Sequence, residues 1–356
     1  MNQYLKSWTV PSNEYTTAHP VTLRLLLSHG AGLTVGGFPG YKRSESIPSA
    51  VDVLEGRGNT APVRVDTVPG ADRQYSGGGF TVAQVLVEDV VGAPFVAALE
   101  RLVLDPLEMY RSTFAQSLPN RLHEEAATGH RPGDTPIEGK WHVYPERAAA
   151  GLWSTPLDLA RFALGIREAY FGAEGTVLSQ ELASEMLARQ NDGYGLGPYV
   201  VASQDSLWFG HAGGNAGFKS YFLLYPATGD GLAVMANADG GRALNFEIIR
   251  AVSRVYDWPL HKPEVRSAVT LPLDTLDTYT GRYRIEGETE REVHVLLKDR
   301  QLYLGWPTAP EEKRQRLVPT STTEFVLSET GGLVTFKLEE QPVVLEIDGQ
   351  RAERVE

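Results

Sequence analysis

The sequence predicts an α+β protein, in which helices and a helical lobe flank an antiparallel sheet and a small antiparallel β domain follows. Three observations predict this fold. Apolar residues recur at helical spacing before residue 191, short turn-separated strands follow up to residue 237, and short alternating runs fill the last stretch. Several prolines separate the two parts. We therefore expect domains at 1–258 and 274–356, joined by a linker at 259–273.

The first half is predicted to be mainly helical. Val21–Ser28 carries leucines at helical spacing before a glycine pair, and a second stripe begins at Thr81 and ends at Gly92. Ser154 to Asp158 places a hydroxyl, a proline and an acid in the order of a helix start, and that helix should run to about Leu164. A further helix is expected at Phe95–Leu102, a long ordered loop at Gly36–Asp72, and a closing helix at Asn245–Tyr256.

Strands are predicted in the second half, where Gly, Pro and Asn turns separate apolar runs. In the first domain these strands are Trp208–Phe209, Ser220–Tyr225 and Gly231–Asn237. In the second they are Arg291–Lys298, Gln301–Trp306, Glu324–Ser328, Leu333–Leu338 and Val343–Ile347, which indicates a small sheet or barrel.

Composition excludes several classes of function. The 45 acidic and 33 basic residues give a net charge of −12, which repels phosphate backbones and argues against nucleic acid as a partner. No cysteine is present, so a thiolate metal site and a cysteine nucleophile are excluded. No apolar run is long enough to span a membrane. The spacing of His123 and His130 fits no metal motif, and we expect neither metal nor cofactor.

Three segments combine reactive side chains with glycine. Tyr75 to Gly79 precedes a helix whose positive end would lower the pKa of the Tyr75 phenol and make it a general base, although a plain turn fits as well. Gly210 to Phe218 offers backbone N–H groups for an oxyanion hole beside His211, and the alternative is a simple hairpin. In the third segment Ser28 and His29 point about 100° apart on a helix, which favours a structural role.

Together these segments resemble one family, the serine β-lactamase-like hydrolases of the class C type, which includes penicillin-binding carboxypeptidases, D-aminopeptidases and esterases. The resemblance covers roughly residues 1 to 256. The matching stretches are 21–33, Tyr75-Ser76-Gly77, 105–109, 151–158, 194–197 and 210–213. It implies a β-lactamase/transpeptidase-like fold and hydrolysis of an ester or amide, such as a β-lactam or a D-amino-acid peptide, through an acyl-enzyme. Residues 276–283 resemble the start of a β-rich domain often appended to such hydrolases.

The resemblance also implies roles for individual residues. Tyr75 matches the tyrosine that transfers protons, and His211 matches the residue that faces the polar end of the substrate. Ser76, Gly77, Gly213 and Gly214 match the substrate-binding positions, with the Gly214 N–H as an oxyanion donor. Apart from these matches, some large aromatic residues are candidates to line an apolar acyl pocket, which favours an esterase, although each of them is more often a core residue. They are Trp141, Tyr144, Trp153, Tyr194 and Trp208.

The sequence departs from the family in two places. None of its eight lysines has a serine three positions before it, so the Ser-x-x-Lys motif that holds the family's nucleophile does not occur. Gly77 stands where the family often has asparagine. Two hypotheses follow: a serine hydrolase that lacks its N-terminal nucleophile segment, or a non-catalytic protein that binds ligands or a partner. An α/β-hydrolase is a weaker rival because no Gly-x-Ser-x-Gly elbow is present.

The expected location and self-association of the protein depend on whether the N-terminal nucleophile segment is missing. A shortened chain is expected to expose a strand edge through which copies of the chain pair. We expect a cytoplasmic protein if the chain is complete and an exported one if a segment precedes Met1.

Overall fold

The computed structural model describes residues 1–191, 193–202, 206–258, 265–286, 292–307, 314–347 and 350–355. It forms two compact units, 1–261 and 262–356. The helices of the first unit are α1 (Leu23–Leu27), α2 (Ala50–Leu54), α3 (Gly77–Val91), α4 (Phe95–Leu99), α5 (Arg147–Ala150), α6 (Pro156–Tyr170), α7 (Gln180–Met186) and α8 (Gly241–Val255). Its strands are β1 (Tyr41–Lys42), β2 (His130–Arg131), β3 (Thr135–Pro136), β4 (His142–Val143), β5 (Tyr199–Ala202), β6 (Leu207–Asn215), β7 (Phe218–Leu224) and β8 (Gly231–Ala236).

Side-chain caps set where several of these helices begin. The Thr22 hydroxyl accepts the Leu25 N–H at the start of α1, and the Thr155 hydroxyl accepts the Asp158 N–H at the start of α6. The predicted loop at 36–72 contains a helix, because Ser49 and Asp52 form a capping box that starts α2. Helix α6 runs to Tyr170, six residues past the predicted end, because its buried face packs against the sheet throughout.

The central sheet is antiparallel in the order β5-β6-β7-β8. Phe209 and Phe222 lie on the face that packs against α6 and α7, while Tyr221 and Leu223 lie on the face that packs against α8. Strand β6 is longer than the predicted Trp208–Phe209 run and continues through the glycines, because Ala212 to Asn215 pair with Tyr221 to Phe218 of β7. The glycine segment is therefore the end of β6, a two-residue turn and the start of β7, which is a hairpin, as the alternative predicted.

The second unit contains a closed eight-stranded antiparallel barrel. Helix α9 (Leu273–Asp277) precedes it. Its strands are β9 (Gly281–Ile285), β10 (Glu292–Lys298), β11 (Gln301–Gly305), β12 (Gln315–Pro319), β13 (Glu324–Leu327), β14 (Leu333–Lys337), β15 (Val344–Ile347) and β16 (Gln350–Arg354). The five predicted runs are confirmed as strands. Strands β9, β12 and β16 were not predicted, because charged residues interrupt their apolar patterns.

No single described helix is long and apolar enough to cross a membrane. Helix α3 and the segment Phe95–Leu104 pass a test of length and composition together, but they meet at a bend of 80°. Nine of the fifteen residues of α3 are buried, which explains the apolar composition as that of a core helix.

Candidate functional site

Aromatic side chains from distant parts of the first unit meet beside the glycine-rich half of β6. The Tyr75 ring stacks 6.5 Å from the His211 ring, and the Tyr199 ring lies 5.3 Å from His211. The Tyr194 ring lies 4.2 Å from Tyr199 and 6.2 Å from Tyr75. His29 completes what we call the site cluster: His29, Tyr75, Tyr194, Tyr199 and His211. The fold thus brings the two predicted catalytic residues, Tyr75 and His211, into one site.

His29 belongs to this cluster, although the sequence analysis favoured a structural role for it. Its ring lies 4.1 Å from Tyr75 and 4.9 Å from Tyr194, and Nδ1 accepts the Ser76 N–H at 3.1 Å. The side chain is 2% exposed, and Nε2 is buried without a hydrogen-bond partner among the described residues. Burial, together with the nearby His211 and Arg73, lowers the pKa of His29 to about 4, so the ring is neutral at pH 7.

Tyr75 stands at the opening of the cluster, with its side chain 42% exposed. Burial and the neighbouring Tyr199 phenol raise the pKa of Tyr75 above its usual value. The expectation of a lowered pKa is therefore wrong. Tyr75 precedes the helix cap, and Ser76, not Tyr75, contacts the first turn of α3. At neutral pH Tyr75 is a protonated phenol that can donate a hydrogen bond.

His211 and Tyr194 also remain uncharged. Burial lowers the pKa of the His211 imidazole and raises the pKa of the Tyr194 phenol, where the Tyr199 hydroxyl acts in the same direction. The Arg73 guanidinium lies 5.6 Å from the centre of the Tyr194 ring. The cluster is thus a set of neutral polar groups with one cation at its edge, which suits a polar, uncharged bond such as an ester or amide carbonyl.

Ser76 and Gly77, two of the predicted substrate-binding residues, lie at the start of α3. The Ser76 hydroxyl donates to the Thr34 carbonyl oxygen at 2.8 Å and accepts the Gly79 N–H at 2.9 Å, and the residue is 3% exposed. A Cβ at Gly77 would lie 2.9 Å from the Phe38 ring, so a larger residue such as the asparagine common in the family would require Phe38 to move. The Ser76 hydroxyl is therefore used within the fold in this arrangement.

Gly213 and Gly214 lie in the part of β6 that extends past β5. The pairing of β5 with β6 ends at Tyr199 and Gly210, so from His211 onward β6 pairs only with β7 among the described strands. A Cβ at Gly213 would lie 2.2 Å from the Ser220 hydroxyl, which explains the glycine by close approach of the neighbouring strand. One side of this strand segment therefore offers backbone groups to a ligand.

The other aromatic residues named from the sequence are divided between the site and the core. Tyr194 lies in the site cluster and Trp208 lines a neighbouring cavity. Trp141 and Trp153 pack edge to face 5.2 Å apart, away from the cluster, and the Tyr144 hydroxyl accepts the Ala216 N–H at the β6–β7 turn. Within the described ranges no group of three or more His, Asp or Glu residues is placed to hold a metal ion.

Comparison with known protein families gives one match. The Beta-lactamase family model matches residues 3–255, which is most of the chain and all the elements that build the site cluster. The chain belongs to the Beta-lactamase family. Serine β-lactamase-like hydrolases are therefore the superfamily of this protein, as the ordered motifs predicted. No curated protein matches the chain.

Solved structures of this superfamily share the fold. An octameric penicillin-binding protein homologue from Pyrococcus abyssi is 20% identical, with a TM-score of 0.57 over 94% of this chain and 78% of that one. SurE with D-Leu is 22% identical, with a TM-score of 0.52 over 94% and 78%. D-amino acid amidase from Ochrobactrum anthropi complexed with L-phenylalanine is 19% identical, with a TM-score of 0.54 over 68% and 75%. The β-lactamase/transpeptidase-like fold prediction is confirmed.

Proposed function

We propose that the site cluster is a serine-hydrolase-type site for an ester or amide bond, such as a β-lactam or a D-amino-acid peptide. The observation that carries this proposal is that Tyr75 and His211 meet beside the part of β6 that extends past β5. In the bound ester or amide, the Gly214 N–H binds the carbonyl oxygen, the Tyr75 phenol faces the ester oxygen or amide nitrogen, and His211 contacts the polar end of the ligand. The penicillin-binding homologue and the amidase support this substrate class.

The proposal includes inactivity of the 356-residue chain. Acyl transfer needs a nucleophile, and the sequence contains no Ser-x-x-Lys. The two serines closest in sequence to cluster residues, Ser28 and Ser76, are 2% and 3% exposed, and the Ser76 hydroxyl is used in the cap of α3. We therefore expect this chain to bind an ester or amide without forming an acyl-enzyme.

Two measurements test the proposal. The chain is treated with a fluorophosphonate or penicillin probe, and its intact mass is read with peptide mapping; we expect no adduct. Binding of the penicillin probe is followed by the histidine ring signals in NMR spectra, and we expect His29 and His211 to shift. Tyr75→Phe should weaken this binding about tenfold, which is the loss of one hydrogen bond of about 1.4 kcal/mol, while Tyr4→Phe, at an exposed tyrosine, should not.

The alternative is a non-catalytic protein that binds another ligand or a partner. The buried hydroxyl of Ser76 favours it, because a position typical of catalytic motifs serves the helix instead. A peptide that carries a Ser-x-x-Lys helix, added in trans, separates the two. Regained probe labelling supports the hydrolase, and unchanged histidine signals with no labelling support the alternative. An adduct on a single serine of the chain alone would contradict the proposed inactivity.

We also propose that copies of the chain pair through the edge of β8. Strand β8 is an edge of the described sheet, and its sequence Gly-Leu-Ala-Val-Met-Ala has no charge or proline that would block pairing. The octameric state of the Pyrococcus homologue supports self-association. Met235→Lys should shift the mass measured by light scattering toward one chain, while Ala251→Lys on the exposed side of α8 should not. If the unsubstituted chain is already a monomer by light scattering, the proposed pairing is contradicted.

A further inference from the structure

A cavity lies on the face of β6 that packs against α8, and it shares Tyr199 with the site cluster. Its volume is about 370 Å³, within the range of small-molecule sites. Residues of β5, β6, β7 and the first turns of α8 line it. Successive residues of a strand point to opposite faces, so Ala212 faces this cavity while its neighbour His211 faces the site cluster.

The walls of this cavity are aromatic. Four aromatic residues line it, with the Tyr221 and Phe246 rings 5.7 Å apart. The other two are Tyr199 and Trp208. Burial raises the pKa of Tyr221 to about 12, so its hydroxyl stays protonated and remains a hydrogen-bond donor. Such walls favour a flat aromatic ring.

One end of the cavity favours an anion. Arg242 lines it in the first turn of α8, and among the described residues it forms no ion pair or hydrogen bond. The N-cap residue of α8, Gly240, provides no side-chain cap, so the positive end of a fifteen-residue helix lies beside Arg242. Lys219 adds a second positive charge, although its ammonium already donates to the Asn215 and Phe218 carbonyl oxygens and lies 3.4 Å from Asp239.

The buried Asn245 side chain indicates that the ligand carries a hydrogen-bond donor. It is 3% exposed, and its Nδ2 donates to the Lys219 carbonyl oxygen at 3.3 Å, which fixes the orientation of the amide. The other amide atom, Oδ1, is buried and has no hydrogen-bond partner among the residues that the structure describes. An unpaired buried carbonyl oxygen is unfavourable, and a ligand N–H would supply the missing hydrogen bond. Residues 242 and 245 are three apart on α8 and therefore share a face, so one ligand reaches both.

We propose that this cavity binds an N-acylated aromatic amino acid, free or as the last residue of a peptide. The carboxylate pairs with Arg242, the neighbouring amide N–H donates to Asn245 Oδ1, and the ring lies between the aromatic walls. A neutral amide N–H suits the site better than a free ammonium, because Arg242 and Lys219 would repel a third cation. The inference does not rest on the proposed hydrolase function, because it requires binding and no turnover.

The test is calorimetric titration of the full chain with N-acetyl-phenylalanine, using each enantiomer in turn. Three probes each lack one feature: N-acetyl-phenylalanine amide has no carboxylate, 3-phenylpropionate has no N–H, and N-acetyl-alanine has no ring. We expect at least one enantiomer to bind and each of the three probes to bind at least tenfold more weakly. Equal binding of any of the three overturns the proposal, as does no binding of either enantiomer at millimolar concentration.

Variants locate the ligand. Arg242→Gln changes an exposed side chain, so the fold should persist, and we expect N-acetyl-phenylalanine to bind at least tenfold more weakly. Arg254→Gln, near the other end of α8, removes the same charge and should leave binding unchanged. Binding by Arg242→Gln at full strength, or an equal loss in Arg254→Gln, overturns the assignment. A ligand bound beside Trp208 should also quench tryptophan fluorescence. Equal quenching by N-acetyl-phenylalanine in Trp208→Phe would overturn the assignment.

Discussion

The site cluster and the core of the barrel are built from the same kinds of side chain and differ in how their polar atoms are paired. In the barrel, Tyr279 and Tyr283 pack against Phe325 and Phe336 with ring distances of 4.8 to 6.0 Å. The Tyr279 hydroxyl donates to the Thr322 carbonyl oxygen, and the Tyr283 hydroxyl donates to the Tyr279 carbonyl oxygen at 2.8 Å. Their polar atoms are fully used.

The site cluster pairs its polar atoms less completely. His29 Nε2 is buried without a partner in the described structure, and Tyr75 is 42% exposed at the opening. Buried polar atoms are normally hydrogen-bonded, so an unpaired one marks a place where a ligand completes the pairing. The tyrosine hydroxyls of the barrel core are hydrogen-bonded within the fold, whereas the site cluster leaves His29 Nε2 for a ligand. Four predictions test this comparison.

The largest expected effect is in the barrel. Phe336→Ala removes a 1% exposed ring that contacts three other aromatic rings, and the cavity should lower the free energy of unfolding of the barrel by about 3–5 kcal/mol. Hydrogen exchange of barrel peptides measures this without averaging over the two units. Leu296→Ala, at a 36% exposed position of β10, is the control and should cost much less. Equal losses would show that the aromatic core is not special.

The second prediction concerns Glu146, a fully buried carboxyl whose two oxygens have no hydrogen-bond partner among the described residues. Burial raises its pKa from 4.5 to about 7. The folded state therefore holds a proton that the unfolded state releases, so the stability of the first unit should fall as pH rises from 4.5 to 7, by about 3 kcal/mol. Denaturant unfolding at several pH values measures this. Glu146→Gln should remove the dependence, and a variant that keeps it would refute the assignment.

The third prediction concerns His29 and has the opposite sign. The pKa of His29 is lowered from 6.5 to about 4 in the folded state. Between these two pH values the ring therefore binds a proton in the unfolded state but not in the folded state. Stability should be complete above pH 6.5 and should fall as pH drops toward 4, again by about 3 kcal/mol. NMR titration of the His29 ring measures its pKa directly. Between pH 4.5 and 6.5 the Glu146 and His29 effects oppose each other, so the titration is best followed in Glu146→Gln. A His29 pKa near 6.5 would contradict the prediction.

The fourth prediction has the smallest expected effect and compares the two regions directly, because a tyrosine is changed to phenylalanine in the barrel core and in the site cluster. Tyr279→Phe removes a hydroxyl that is bonded to a backbone carbonyl in the barrel core and should cost about 1–2 kcal/mol. Tyr75→Phe removes a hydroxyl at the opening of the site cluster and should change stability by less than about 0.5 kcal/mol. Hydrogen exchange of the respective peptides reports both. Similar costs would mean that Tyr75 is a structural residue and that the two clusters do not differ.

The sequence alone determined the class of fold and the order of its parts. Helical and alternating periodicities identify the main helices and five barrel strands, since burial of one face imposes those periods locally. The glycine segments around Tyr75 and His211 were also recognisable in the sequence. Glycine beside reactive side chains indicates that a ligand or another backbone segment approaches closely. Strands such as β9 and β16 were missed because their neighbours in the barrel, not their own patterns, hold them.

The tertiary structure alone decided which residues form the site. His29 looks structural in the sequence because its neighbours form an ordinary helix end, and only packing places its ring 4.1 Å from Tyr75. The pKa of Tyr75 depends on burial and on Tyr199, which is far away in the chain, so the local helix start gave the wrong sign. That Arg242 and the buried, unpaired Asn245 oxygen line one cavity of the described structure is likewise visible only after the sheet forms. Periodicity is a local property, whereas pKa values and binding sites depend on which distant side chains exclude water from one another.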